Sequence, residues 1–171
     1  METKTLSEQL PPDVTGIPAP LSVAGSMNLS RIKLNLVAAS KDAVLRELAA
    51  LVVPPRRKRD IETLYKALKA REALCTTCVD DGVAIPHSRN AIVGLVKDPV
   101  IAYGRHPGLE FGALDGLPVR HFFLLCAPNV QQHLQLLGKL ARMLRTTGFI
   151  AKLDATRTPE EVLELIRANE R

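Results

Sequence analysis

The sequence has no tryptophan, only two tyrosines and four phenylalanines, so aromatics make up 4% of its 171 residues. Proteins that hold single-stranded nucleic acid stack bases on aromatic rings, and this chain has few to offer. There are three cysteines. Three cannot all pair within one chain, which argues against a disulfide scaffold and for a reducing compartment. No apolar run approaches the ~20 residues of a membrane span. The opening Met-Glu-Thr-Lys leads into a polar, Pro-rich stretch without the apolar core of a signal peptide. A cytoplasmic protein with no membrane insertion is therefore expected. Charge is not extreme either: 23 Lys+Arg against 18 Asp+Glu leave +5, and 46% of residues are hydrophobic. That balance excludes a wholly disordered chain. The length suits one domain, or one domain and a tail.

What is present is ordered along the chain. Residues 1–28 read as a flexible tail, because Pro11, Pro12, Gly16, Pro18, Pro20 and Gly25 interrupt every periodic run. A short amphipathic piece near Leu6–Leu10 is the exception. Lys4 faces Glu2, Glu8 and Asp13 there, so the tail carries −2 and the remainder +7. From Leu29 the pattern changes. Ile32, Leu34 and Leu36 alternate with polar residues as in a strand buried on one face. Ser40 is placed to cap a helix with Val44, Leu45, Leu48, Leu51 and Val52 at helical spacing, ended by Pro54 and Pro55. Asp60 is placed to cap a second helix running to about Leu74. Val83–Ile85 and Pro99–Tyr103 read as short strands. Val119–Cys126, nearly all apolar, reads as the central strand. Gln131–Leu144 is an amphipathic helix, and Thr158-Pro159-Glu160-Glu161 is a capping box with Pro at its first helical position. Strands mixed with long helices imply an α/β fold with helices covering a sheet.

Five features could carry chemistry. His87 ends Gly-Val-Ala-Ile-Pro-His, where the chain leaves a buried strand and Pro86 restrains the backbone. It reads either as a reactive group or as a surface histidine. His133 shares a helical face with Leu137, Leu140 and Leu144. Such a residue is more often a core histidine bonded to a carbonyl; alternatively it lines a pocket at a helix N-terminus suited to an anion. Arg71, in Arg71-Glu72, precedes Ala73 and Leu74, which read as buried. It is either a solvated charge or a guanidinium that forks onto oxyanions. Cys75-Thr-Thr-Cys78 is a CxxC, but it follows a helix, whereas a redox motif would open one. A zinc site would need His87 and Cys126 as well, with no second CxxC to support it. Residues 54–72, with seven Lys/Arg against three Asp/Glu, include the run Arg56–Arg59, a solvated loop or a patch for a phosphate backbone or an acidic partner; nucleic acid is not the expected partner, because no DNA-reading motif follows.

The order of these segments carries further meaning. Arg71-Glu72 late on a helix is followed by a Thr-rich loop and Gly82–His87. Then come Phe111-Gly-Ala-Leu-Asp-Gly-Leu-Pro-Val119 and His133-Leu-Gln-Leu-Leu137. This resembles the type-2 enzyme IIA domains, the fructose/mannitol/nitrogen-regulatory branch of the bacterial phosphoenolpyruvate-dependent phosphotransferase system (PTS). It extends over residues 29–171. The resemblance implies a single domain with a mixed β-sheet flanked by helices on both faces. It implies that His87 accepts a phosphoryl group from the phosphocarrier protein HPr or a paralogue. His133 and Arg71 would line that site, with Thr77 matching the loop threonine and Pro86 supporting the histidine. Neutral imidazole is a competent nucleophile, and a hydrogen bond at one nitrogen frees the other to attack. His133 would donate to the phosphoryl oxygens and Arg71 would offset their charge. No metal or organic cofactor is implied. The downstream partner would be an enzyme IIB domain or a regulatory target, and a stand-alone chain looks most like the nitrogen-regulatory type. The alternatives are a sugar-transport enzyme IIA with separate partners, or a binding module that is not phosphorylated. The loop departs from the family pattern, because Cys78 and Asp80 replace two glycines and only Gly82 remains; Ser88 follows the histidine. These changes predict an altered loop path at Cys78 and a negative charge from Asp80 near the phosphoryl site.

Overall fold

The computed structural model describes residues 20–170. Five strands form one sheet in the order β1-β4-β5-β3-β2, namely β1 (Ile32–Lys33), β2 (Cys78–Val79), β3 (Val83–Ala84), β4 (Val100–Leu109) and β5 (Val119–Cys126). The β1–β4 and β3–β5 pairs are parallel, while β2–β3 and β4–β5 are antiparallel. The sheet is therefore mixed, and the apolar strand β5 lies at its centre, as its composition implies. Among the described residues, five helices follow: α1 (Lys41–Val52), α2 (Lys58–Leu74), α3 (Val130–Leu144), α4 (Phe149–Ala155) and α5 (Pro159–Asn169).

Alternation along the strands separates two cores. Ala102, Phe122 and Leu124 face α1 and α2, packing with Leu45, Leu48, Leu64 and Leu68. Ile101, Tyr103, Phe123 and Leu125 face the other way, against Leu136, Leu140, Phe149, Leu153 and Ile166 of α3, α4 and α5. Helices thus cover both faces of the sheet. None of them is long and apolar enough to cross a membrane.

Local chemistry sets the boundaries. The Ser40 side chain accepts from Ala43 N, Asn129 from Gln132 N, and Thr158 from Glu161 N, so α1, α3 and α5 each begin on a side-chain cap. Asp60 is not the cap of α2. The helix starts earlier, after Arg57, and the Asp60 carboxylate accepts instead from Arg57 Nε at 2.6 Å. β4 continues well past Tyr103. Gly104 packs closely there, since a Cβ would lie 2.6 Å from Leu36 Cδ1, and Pro107 and Gly108 fall within a register shift against β5. β1 is shorter than the alternation suggests: Ile32 and Leu34 pack on one core and Leu36 on the other.

Of the segment 1–28, residues 1–19, including Leu6–Leu10, lie outside the described residues. Residues 20–28 belong to the packed body. Val23 is fully buried, and Ala24 and Met27 pack in the same core. The Glu170 carboxylate accepts from the N–H groups of Val23 and Ala24, and Lys139 Nζ donates to Leu21 O at 2.6 Å.

Candidate functional site

His87 sits where β3 has run out but its neighbours have not. Ile85 N donates to Thr77 O at 3.0 Å on one side. Pro86 has no N–H to continue that ladder, yet its carbonyl accepts from Leu125 N at 3.1 Å on the other. His87 forms an isolated parallel bridge with Leu125 of the central strand. The backbone carrying the imidazole is therefore clamped from both sides, and Pro86 is buried.

The ring is oriented by its own backbone. His87 Nδ1 lies 2.7 Å from Ile85 O. A carbonyl can only accept, so Nδ1 carries the proton and Nε2 keeps its lone pair in the neutral ring. Burial lowers the imidazole pKa, opposed by the Ile85 hydrogen bond; the Arg71 charge lowers it further and Glu72 raises it. His133 faces this ring, with centroids 5.1 Å apart and planes tilted by 51°. It is half-buried near the start of α3, and its pKa is lowered by burial and by His87. Its ring makes no hydrogen bond to a described residue, so it is not a core histidine held by a carbonyl.

Arg71 occupies the last turn of α2, where its Nη1 donates to Cys75 O at 2.7 Å and lies 3.5 Å from Cys75 Sγ. The remaining guanidinium donors are left for other acceptors. Ala73 and Leu74 beside it are exposed, not buried. They occupy the open side of α2, while Leu64, Tyr65 and Leu68 fill the core side.

Thr77 is buried, and its hydroxyl does not face the histidine pair: it donates to the Glu72 carboxylate, which also accepts Thr77 N–H at 3.2 Å. Glu72 is itself buried, with Lys41 Nζ 3.9 Å from its Oε2. This carboxylate is the functional residue that sequence reasoning passed over, although it stands next to Arg71. It ties α2 to the loop whose Thr77 carbonyl braces Ile85, and Ile85 in turn orients His87. Replacing Glu72 with alanine strands two buried donors. We expect a loss of about 2 kcal/mol in urea denaturation, with Glu72→Gln, which keeps an acceptor, less affected.

The departures in the loop have local explanations. Cys78 lies in β2, and its thiol is directed to Phe111 O at 3.8 Å; burial raises its pKa. Positive φ falls on Asp81 (65°) and Gly82 (76°), not on Cys78 or Asp80. Gly82 also lies against Pro118, whose carbonyl oxygen would be 3.0 Å from a Cβ. Asp80 belongs to the β2–β3 turn, at the far end of the hairpin from Thr77. The charges that bear on His87 are those of Arg71 and Glu72. Asp115 secures this turn, accepting from Asp81 N at 3.1 Å and Leu117 N at 3.0 Å. Among the described residues no three His, Cys, Asp or Glu side chains converge as metal ligands. Cys126 is buried in the core with its thiol pushed up to about 12. In the basic run, Arg57 is tied to Asp60 and to the carbonyls of Gly94 and Leu95, whereas Arg56, Lys58 and Arg59 are exposed.

Comparison with known proteins bears on the family and the fold. Residues 26–169 match the family described as "Phosphoenolpyruvate-dependent sugar phosphotransferase system, EIIA 2". A nitrogen regulatory protein of Bradyrhizobium diazoefficiens is 34% identical, covering 84% of this chain and 91% of its own. A PTS fructose-specific EIIA component of Haloferax volcanii is 31% identical, covering 79% and 90%. The crystal structure of the nitrogen regulatory protein IIA-Ntr from Neisseria meningitidis superimposes with a TM-score of 0.73 at 30% identity, covering 84% of this chain and 98% of that one. With its mixed sheet, its histidine pair and these matches, the chain belongs to the type-2 enzyme IIA family of the phosphoenolpyruvate-dependent phosphotransferase system.

Proposed function

We propose that His87 Nε2 accepts a phosphoryl group from an HPr-like phosphocarrier protein. The group then passes to an enzyme IIB domain or, as in a nitrogen-regulatory protein, serves as a state read by a target protein. The observation that carries this reading is the Nδ1–H···O=C bond to Ile85, which leaves Nε2 as the free nucleophile beside His133. As the P–Nε2 bond forms, the donor's phosphoryl bond breaks. No proton has to leave Nε2, because it carries none, and Nδ1–H stays on the Ile85 carbonyl. Transfer through a loose transition state needs alignment and charge stabilisation more than covalent chemistry. His133 supplies a ring N–H to the phosphoryl oxygens, and Arg71, held by the Cys75 carbonyl, supplies positive charge. The reaction needs no metal from this chain.

A macromolecular donor suits the surroundings. Leu74 on α2 is 63% exposed, and Val130 and Leu134 on α3 are 57% and 60% exposed. Apolar side chains on the two helices that carry Arg71 and His133 are suited to contact with another protein.

The test is incubation with phosphoenolpyruvate, enzyme I and HPr from the same source. An acid-labile phosphoryl group appears on the protein, and phosphorus–nitrogen coupling in NMR assigns it to Nε2 of His87. A chain that stays unmodified beside active partners overturns the proposal. A second measurement concerns His133→Ala. Loss of one donor to the transferring group slows uptake about 10²-fold while the urea midpoint stays within the range of a partly exposed substitution. A collapse in stability would instead make His133 a packing residue.

A further inference from the structure

Away from the histidine pair lies a cleft of about 540 Å³ that the phosphotransfer reading does not use. The β2–β3 turn forms one wall, and the junction of α3 with α4 forms the other. Asp80 and Asp81 line it from the turn and Arg145 from the end of α3, all three exposed, while Val79, Ile150 and Ala151 contribute apolar surface over the buried Val83 and Leu144. Its volume is in the range of small-molecule sites.

The charged groups are what give the cleft a chemical preference. Among the described residues, neither Asp80 nor Asp81 makes a side-chain hydrogen bond or ion pair, and Arg145 makes none either. The three do not neutralise one another, since no Arg145–carboxylate contact lies within 4.0 Å. Elsewhere in the molecule charges of opposite sign that meet do pair, as in Arg46–Glu62, Lys69–Asp42 and Arg120–Asp154. Two exposed carboxylates and an exposed guanidinium around the apolar surface of Val79 and Ile150 can be bridged by a ligand carrying both charges. Asp81 is also held where it is. Its φ is 65° and its N–H is fixed by Asp115, so the turn is built and not merely frayed.

We propose that this cleft binds a free L-α-amino acid with an apolar side chain. The ammonium group lies against Asp80 and Asp81, the carboxylate takes the planar fork of Arg145, and the side chain covers Val79 and Ile150. Neither an amine nor a carboxylic acid alone satisfies both sides. Binding here does not depend on the chemistry of His87, because β3 and α3 separate the two places: His87 and His133 stand at one end of this pair of elements and the cleft at the other.

The experiment titrates the unphosphorylated protein with L-leucine, L-methionine and L-phenylalanine, followed by ¹H–¹⁵N NMR. At least one produces saturable shifts at Asp80, Asp81 and Arg145. For that amino acid, the matching amine and the matching carboxylic acid each bind at least about tenfold more weakly. Arg145→Gln and Asp81→Asn each weaken binding about tenfold or more; asparagine tolerates the left-handed backbone at residue 81. The proposal is overturned if none of the three binds below about 10 mM, if amine or acid alone binds as well, or if both variants bind like the parent. His87→Ala binds the amino acid unchanged, so failure of phosphotransfer and failure of this site are read separately.

Discussion

His87→Gln takes up no phosphoryl group, and the variant folds and melts like the parent. Glutamine is the informative replacement. Its side-chain amide can still donate to the Ile85 carbonyl that Nδ1 now reaches at 2.7 Å, so the local backbone keeps its partner. What it lacks is a ring nitrogen with a free lone pair. An amide nitrogen has its lone pair delocalised and an amide oxygen is a poor acceptor for a transferable phosphoryl group. The remaining site, His133 and Arg71, can stabilise a transferring group but cannot receive it. Uptake with phosphoenolpyruvate, enzyme I and HPr should therefore fall below detection, a loss of about 10⁴-fold or more by comparison with removal of other catalytic nucleophiles. His133 offers a control within the same protein. Its ring lies 5.1 Å from His87, so if His133 could serve as acceptor, His87→Gln would still be labelled. Label retained in His87→Gln and lost in His133→Ala would move the acceptor to His133.

The motif residues were legible because their spacing reports local geometry. Ser40 and Thr158-Pro159 are short-range caps that the fold keeps, whereas Asp60, which reads as a cap, is drawn to Arg57 instead. Gly82 and His87 were legible through the order of segments around them. The illegible parts are those that depend on distant partners. β2 is only two residues long and exists because Cys78 and Val79 pair with Ala84 and Val83. α4 spans seven residues, begins at Gly148 in the left-handed region and has no side-chain cap, so it lacks an N-terminal signal. β4 carries Gly104, Pro107 and Gly108, which punctuate a chain read in isolation but are accommodated by Leu36 and a bulge. The same division applies to the site. Arg71 and His133 could be singled out from helical position. That Thr77 turns inward to Glu72 could not, because a carboxylate at position 72 on a charged helix looks solvated until the loop folds over it. His121 was invisible for a similar reason. It stands in an apolar strand, and its partners, Tyr103 and Asp154, lie 18 and 33 residues away along the chain.

Replacing His121 with alanine costs about 3 kcal/mol of stability without touching phosphoryl transfer in the protein that remains folded. The ring is fully buried, with Nδ1 2.7 Å from Tyr103 Oη and Nε2 2.7 Å from Asp154 Oδ1. In the neutral ring Nε2–H donates to the carboxylate and Nδ1 accepts the tyrosine O–H. Arg105 Nε donates to the same hydroxyl, and the Arg105 Nη atoms cap the end of α4 at the carbonyls of Leu153 and Thr156. Alanine opens a cavity and removes the acceptor of Tyr103 and the donor to Asp154 together. Asp154 is partly exposed and keeps Arg120 at 2.8 Å, so its loss is moderated by solvent, and the figure stays below that of a fully buried ion pair. The direction with pH follows from the ring. Burial lowers the pKa of His121, a shift that Asp154 only partly opposes. The unfolded chain titrates near 6.5, so between the folded and unfolded values the unfolded chain holds more protons. Stability is then fully present above about pH 6.5 and falls as pH is lowered through that window. His87 and His133 are shifted the same way and add to the slope. Urea denaturation from pH 7.5 down to 5.5 reads both effects. The parent should lose stability on acidification, and His121→Ala should start lower and lose less. Equal slopes in parent and variant would mean that His121 binds protons alike in the folded and unfolded chain, and a variant that loses more than the parent would mean that the ring is held as an imidazolium between Tyr103 and Asp154.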